Sequence, residues 1–152
     1  MMTADTRTSD AAGTLSVRTR KPLLIASWIG QIIVAVILGQ TLFFKFINAP
    51  ETRVIFEDLG GRPAAIASGV FELIVVVLIL VPRTAVFGAL GAMLLMLGAI
   101  GSHLAVIGIA VPTPDGAGDD GGLLFGMATV VFLMAAMVAV LRRHDALRVL
   151  GR

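Results

Sequence analysis

Residues 64–81 read AAIASGVFELIVVVLILV, and Glu72 is the one charged side chain in this run. A helix of about 20 mostly apolar residues crosses the roughly 30 Å hydrocarbon core of a bilayer, because each residue adds about 1.5 Å. Proline flanks the run at Pro63 and Pro82, where it suits the first position and the end of a helix. The run therefore predicts a membrane-spanning helix.

Three further apolar segments of similar character lie at about 23–47, 84–111 and 122–141. Of the 152 residues, 57% are hydrophobic and 14% are charged, whereas a soluble domain has about a quarter charged residues. Disordered chains need low hydrophobicity, and membrane β-barrels need short segments of alternating polarity, so both classes are excluded. The sequence predicts an all-α polytopic membrane protein, a bundle of four transmembrane helices.

The basic residues predict how the bundle is oriented. Nine of the twelve Lys and Arg residues lie in the two tails and in the turn between the second and third spans. Cytoplasmic segments carry the excess of such residues, so both termini are predicted to be cytoplasmic. The domain organisation is a flexible polar tail at 1–21, a membrane domain at 22–141 and a basic tail at 142–152. The last includes His144 and faces anionic lipid.

The connection between the first two spans, residues 48–61, favours a short helix over the opposite mouth of the bundle, with an irregular loop as the alternative. Pro50 suits its first turn and the pair Gly60-Gly61 suits its end. Small residues also recur along the spans, as in Gly91 and Gly98 or Gly122 and Gly126. Such spacing lets helices approach closely, and it favours contacts within this chain over dimerisation.

Ionisable residues within membrane spans are costly, so they mark the candidate site. Glu72 and His103 both lie about 12 Å from the non-cytoplasmic ends of their predicted spans, and Lys45 lies near the end of the first span. These side chains are therefore expected in one polar layer in the outer half of the membrane. Three neighbours fall at a similar depth: Gln40, Thr41 and Ser102.

Two interpretations of this layer remain open. In the structural one, Glu72 pairs with Lys45 or with His103 and holds the helices in register. In the functional one, Glu72 and His103 are a catalytic pair that exchanges protons, because a carboxylate and an imidazole suit that task. The other residues, Lys45, Gln40, Thr41 and Ser102, then line a pocket for a small polar head group. No metal site is predicted, since the chain has no cysteine and one intramembrane glutamate.

Several short motifs are similar to those of one known family. Residues 39–46, GQTLFFKF, resemble the first-helix motif of the DoxX-like family, and residues 69–73, GVFEL, resemble its second-helix glutamate segment. A Gly/Ala-rich third span with His103 near its end follows in the same order. The resemblance covers about residues 28–141. It implies a small four-helix integral protein of the bacterial inner membrane.

The same resemblance implies a function. Some DoxX-like proteins are subunits of a thiosulfate:quinone oxidoreductase, so this chain is expected to be the membrane subunit of a quinone-linked redox complex. It would have no intrinsic cofactor, and Lys45, Glu72 and His103 would line a site for a quinone or another small solute in the outer leaflet. Its partners would be the lipid bilayer, a redox protein or further copies of itself, and not nucleic acid. The competing functions are a non-catalytic membrane scaffold and a small proton-coupled transporter.

Overall fold

A computed structural model describes the backbone of residues 6–150 and the side chains of residues 21–143, and this part of the chain is helical with no strand. The predicted all-α class and the predicted short helix after the first span are confirmed. The elements are α1 Thr6–Phe46, α2 Pro50–Phe56, α3 Gly61–Leu80, α4 Ala85–Ser102, a π-helical turn His103–Ile107 and α5 Leu123–Leu150.

The predicted tails lie almost wholly outside the described side chains. Helix α1 begins at Thr6, so it runs through most of the segment 1–21 that was predicted to be a flexible tail. The flexibility of that segment stays a prediction. The basic tail 142–152 is described only for its first two side chains, and His144 lies outside them.

In the described part of the chain, four helical segments are long and apolar enough to span a membrane: Lys21–Phe46, Gly61–Leu80, Ala85–Ile107 and Leu123–Arg143. Each matches a predicted span, but the third ends at Ile107, four residues before its predicted end. The reason lies in the backbone, because Gly108 adopts a φ of +91° that a helix cannot continue through. The fold is thus that of a multi-pass membrane protein.

The four long helices form a closed ring. Helix α1 packs against α3 and α5, and α4 packs against the same two helices, whereas α1 and α4 face each other across the ring with far less contact. Successive helices run in opposite directions. The bundle therefore has a turn end, where α3 passes to α4 through residues 81–84, and a loop end. The loop end carries α2 and the connection of residues 108–122 that leads to α5.

The interior of the bundle holds smaller side chains than its surface. Ala85, Ala89, Ala92 and Ala135 have no exposed area, whereas large apolar side chains such as Leu94, 64% exposed, cover the outside. A soluble protein does not expose such a continuous apolar surface. Small residues inside allow close helix contact, and large ones outside suit contact with lipid.

Glycine allows close helix contact at two places on α4 and one on α1. Both Gly88 and Gly91 lie against α3, at Ile79 and Val75, while Gly30 of α1 lies against α5. The expected close packing does not extend along the whole glycine stripe of α4. A Cβ placed on Gly98 of α4 would meet nothing within 4 Å, and the same is true of Gly126 on α5, because these positions face away from the neighbouring helices. The spacing of glycines in the sequence therefore does not by itself predict which of them contact a neighbouring helix.

Candidate functional site

An ion pair between Lys45 of α1 and Glu72 of α3 is the centre of the candidate site. Glu72 belongs to the buried face of α3, where inward residues recur every three or four positions, and it is 4% exposed. Lys45 lies one helical turn beyond Thr41 on the facing side of α1, and its side chain is 14% exposed. The antiparallel packing of α1 on α3 thus brings the two predicted charges together. The structure selects Lys45 over His103 as the partner of Glu72.

Thr41 completes the hydrogen bonding of the carboxylate. Its Oγ1 lies 3.2 Å from Oε2 of Glu72 and 2.9 Å from the carbonyl oxygen of Leu38. A threonine hydroxyl has one hydrogen, so the two acceptors share it. Lys45 binds the other carboxylate oxygen. Both oxygens of Glu72 therefore have partners within the protein, which is what a buried charge requires.

The short helix α2 and the start of α3 hold Lys45 in place. The ring of Phe56, in the last turn of α2, lies with its centroid 5.4 Å from Nζ of Lys45, a cation–π contact. Arg62 donates from its two terminal nitrogens to the carbonyl oxygens of Lys45 and Phe46, the latter at 2.9 Å. These carbonyls lie at the end of α1, where that of Lys45 also accepts from the N–H of Asn48 at 3.3 Å, and a guanidinium suits them both by hydrogen bonding and by charge.

A hollow of about 390 Å³ lies between α2 and the start of α3. Phe56 lines this hollow and also covers Lys45, so one ring stands at the boundary between the hollow and the ion pair. Ala65, one turn before Gly69 on α3, forms part of its wall. A Cβ placed on Gly69 would lie 3.7 Å from the Cβ of Lys45. The remaining lining residues are Asn48, Thr52, Arg53, Val54, Glu57, Gly61 and Arg62.

His103 occupies a separate place at the same end of the bundle. It begins the π-helical turn, is 6% exposed, and its Nδ1 lies 2.8 Å from the carbonyl oxygen of Gly108. Its ring meets Phe125 of α5 edge to face, with centroids 5.8 Å apart. No hydrogen bond or ion pair joins His103 to Glu72, although the structure describes both side chains. The two members of the predicted proton-exchange pair are thus not in direct contact.

Two other predicted pocket residues do not join the ion pair. Gln40 is exposed on the outside of α1, because its neighbour Thr41 takes the inward position. Ser102 donates its hydroxyl hydrogen to the carbonyl oxygen of Gly98, 2.9 Å away on its own helix. Depth along a span is therefore a weaker guide than the face of the helix on which a residue lies.

Asp120 closes the connection between α4 and α5. It accepts hydrogen bonds from the backbone N–H groups of Val111, Gly122 and Leu124, at 2.7, 3.0 and 2.9 Å. Partial burial acts to raise the pKa of Asp120, but these three donors and the nearby charge of His103 outweigh it. The pKa of Asp120 is consequently held below its ordinary value of 3.8. Asp120 is in effect the cap of α5.

Replacing Asp120 with alanine is expected to lower the free energy of unfolding by about 1–2 kcal/mol, because three backbone donors lose their acceptor. The folded-state pKa of Asp120 is depressed, so this stabilisation is complete above 3.8 and disappears as the pH falls through the lower folded value. Unfolding in detergent at pH 7 and at pH 2 measures both effects. The exposed Asp115→Ala variant serves as the control, and an equal loss in both variants would contradict the capping role.

A buried polar cluster at the turn end has no counterpart in the sequence predictions. Gln31 donates to the backbone oxygen and to Oγ of Ser27, at 3.1 and 2.8 Å, and Nε of Arg142 donates to the same Oγ at 2.8 Å. The Arg142 guanidinium also lies 5.4 Å from the ring centroid of Trp28. Arg142, assigned from sequence to the basic tail, is in fact buried against α1. The spacing of Ser27 and Gln31, four apart in an apolar run, is the signal that could have revealed this cluster.

Known proteins offer no direct comparison for this arrangement. No family model, no curated protein and no solved structure matches the chain. Among the residues with described side chains, no three His, Asp or Glu groups lie close enough together to hold a metal ion. The geometry of the candidate site is therefore the basis for its interpretation. The site consists of the Lys45–Glu72 ion pair beside the hollow, with His103 at a separate position.

Proposed function

We propose that this chain is a DoxX-like protein of the bacterial inner membrane, with cytoplasmic termini, and the membrane subunit of a quinone-linked redox complex. The observation that carries the proposal is the buried Lys45–Glu72 pair beside the hollow under α2, with Phe56 common to both. A separate partner protein supplies the redox centre. When bound, the quinone would carry electrons between that partner and the membrane.

The hollow fits a flat polar head group in size and in chemistry. Its volume of about 390 Å³ is within the range of roughly 300–1,000 Å³ typical of small-molecule sites. Phe56 offers an aromatic face against which a ring can stack. The Lys45 ammonium has three N–H donors and gives one to Glu72, so others remain for a carbonyl oxygen. Movement of the Phe56 ring would bring such a carbonyl to Lys45.

A purely structural role is the second candidate, and one observation favours it. Both oxygens of Glu72 have partners within the chain, so the pair is complete without a ligand. In that case the ion pair would serve to hold α1 and α3 in register, as buried polar groups do in other helical assemblies. The two candidates differ in whether the hollow is occupied.

The proposal is tested by purifying the protein in mild detergent and measuring how much quinone it retains. The wild-type protein should retain a quinone, detected by mass spectrometry of the extracted lipids. A Val54→Trp variant, which fills the hollow from α2, should retain about tenfold less, equal to roughly 1.4 kcal/mol of binding free energy. An Ile55→Trp variant is the matched control, because Ile55 follows Val54 on α2 but does not line the hollow.

The same preparation separates the two candidate functions. Retention of quinone in the wild type and in Ile55→Trp, with loss in Val54→Trp, supports the redox subunit, as does a co-purifying protein that carries a redox cofactor. A wild-type protein free of quinone, or equal retention in all three proteins, would overturn it and leave the structural role.

A further inference from the structure

The environment of His103 determines which of its ring nitrogens is free. Nδ1 lies 2.8 Å from the carbonyl oxygen of Gly108. A carbonyl oxygen can only accept a hydrogen bond, so Nδ1 must carry the hydrogen in this contact. In the neutral ring Nε2 then has no hydrogen and presents a lone pair. The tautomer of His103 thus follows from a single contact.

The π-helical turn His103–Ile107 brings Gly108 next to His103 and so makes this contact possible. The backbone N–H of Gly108 donates to the carbonyl oxygen of His103 at 2.9 Å, which is the wide hydrogen bond of a π-helix. The Nδ1–H of His103 donates back to the carbonyl oxygen of Gly108, so the two residues bind each other twice. This arrangement fixes the imidazole ring at the end of α4. Single π-helical turns inside α-helices are often found at functional sites.

Nε2 of His103 has no hydrogen-bond partner among the side chains and backbone groups that the structure describes. The residue as a whole is 6% exposed. Nε2 is also not one of the completely enclosed polar atoms without a partner, as Gln31 Oε1 is. An open acceptor in a nearly buried, rigidly held ring is the arrangement of a binding group.

Two residues of the following segment define the surroundings of His103. Phe125 presents its ring edge to face, which supplies an apolar wall. The carboxylate of Asp120 lies near enough to His103 to act on it electrostatically. Asp120 accepts three backbone hydrogen bonds, and its carboxylate has no hydrogen to donate to the lone pair of Nε2. The site therefore combines one acceptor, one aromatic ring and one nearby negative charge.

We propose that His103 is a second binding site, in which Nε2 accepts a hydrogen bond from the hydroxyl group of a small ligand. The site is independent of the Lys45–Glu72 pair. Two sources supply this chemistry, namely water and the hydroxyl group of a hydroquinone, and the second rests on the function proposed above. A hydroquinone suits the site because its ring can pack against Phe125 while its hydroxyl meets Nε2.

Chemical acylation and nitrogen NMR test this proposal without an activity assay. Diethyl pyrocarbonate acylates an imidazole nitrogen that carries a lone pair, and mass spectrometry of peptides shows which histidine reacted. The chain has two histidines, so His144 is an internal control. The ¹⁵N spectrum of a His144→Gln protein reports the tautomer of His103 alone. A His103→Asn variant keeps an N–H donor near the position of Nδ1 and removes Nε2, which shows whether folding depends on the ring.

The proposal expects the Nδ1–H tautomer and acylation of His103, with decyl-substituted benzohydroquinone slowing that acylation at least fivefold and leaving His144 unaffected. Equal acylation with and without the hydroquinone would identify water as the ligand and overturn the hydroquinone assignment. The opposite tautomer, or a His103 that does not react, would overturn the site itself. Quinone retention that depends on Val54 but not on His103 would leave the proposed function standing. A wild-type protein that retains no quinone, in which added hydroquinone still protects His103 from acylation, would overturn that function alone.

Discussion

Replacing Lys45 with methionine is expected to lower the free energy of unfolding by about 3–5 kcal/mol, the usual cost of leaving one partner of a buried ion pair alone. Methionine matches the length and volume of the lysine stem, so packing against Gly69 and Phe56 is preserved and the charge is the main change. Glu72 then keeps only its bond to Thr41 in a site that is 4% exposed. Equilibrium unfolding in mixed detergent micelles, followed by circular dichroism, measures the loss.

A double variant isolates the charge as the cause. Combining Lys45→Met with Glu72→Gln removes both charges, and the amide can still accept a hydrogen from Thr41, so most of the lost stability should return. A Gln40→Leu variant on the exposed face of α1 should stay within about 0.5 kcal/mol of the wild type. If Lys45→Met were as stable as the wild type, the buried pair would not exist in the membrane protein.

Replacing Gly88 with alanine is expected to cost about 3 kcal/mol or to prevent accumulation of the protein, because α3 and α4 touch through their backbones at this point. An added Cβ would lie 2.3 Å from the backbone nitrogen and 2.6 Å from the Cα of Ile79. Backbone atoms cannot rotate away as a side chain can, so the two helices would have to separate. The same detergent unfolding measurement and the yield in the membrane fraction record the effect.

Gly98→Ala on the same helix is the matched control. A Cβ at this position meets nothing within 4 Å, and alanine favours the helix over glycine by up to about 1 kcal/mol. The control is therefore expected to be neutral or slightly stabilising. A similar loss in both variants would show that α4 tolerates no alanine at its glycines, which would contradict the specific contact at Gly88.

The main elements of the fold were predictable because membrane spans depend on length and polarity alone. Residues 64–81 illustrate this, since their apolar run and flanking prolines match α3 to within a few residues. The short helix α2 was also predictable, from Pro50 and the paired glycines after it. The end of the third span was not, because Val106 to Val111 are as apolar as a span requires while the backbone already turns at Gly108.

Part of the candidate site was predictable for a similar reason. Charges are rare in spans, so Lys45 and Glu72 stood out, and their pairing was one of the two partnerships left open. The separation of His103 from Glu72 was not predictable, because it depends on the bonds of His103 to Gly108 and on its packing against Phe125. The spacing of Ser27 and Gln31 was visible in the sequence, but their bond to Arg142 was missed because that residue is distant along the chain.

The number of spans, their approximate limits and the charges within them follow from the composition along the chain. Which face of each span points inward depends instead on how the helices pack. Membrane helices are apolar on every side, so periodicity gives no direction, and Gln40 and Thr41 could not be told apart before packing was known. Close approach at Gly88 and the absence of contact at Gly98 follow from the same cause, because backbone contact depends on the partner helix rather than on the glycine itself.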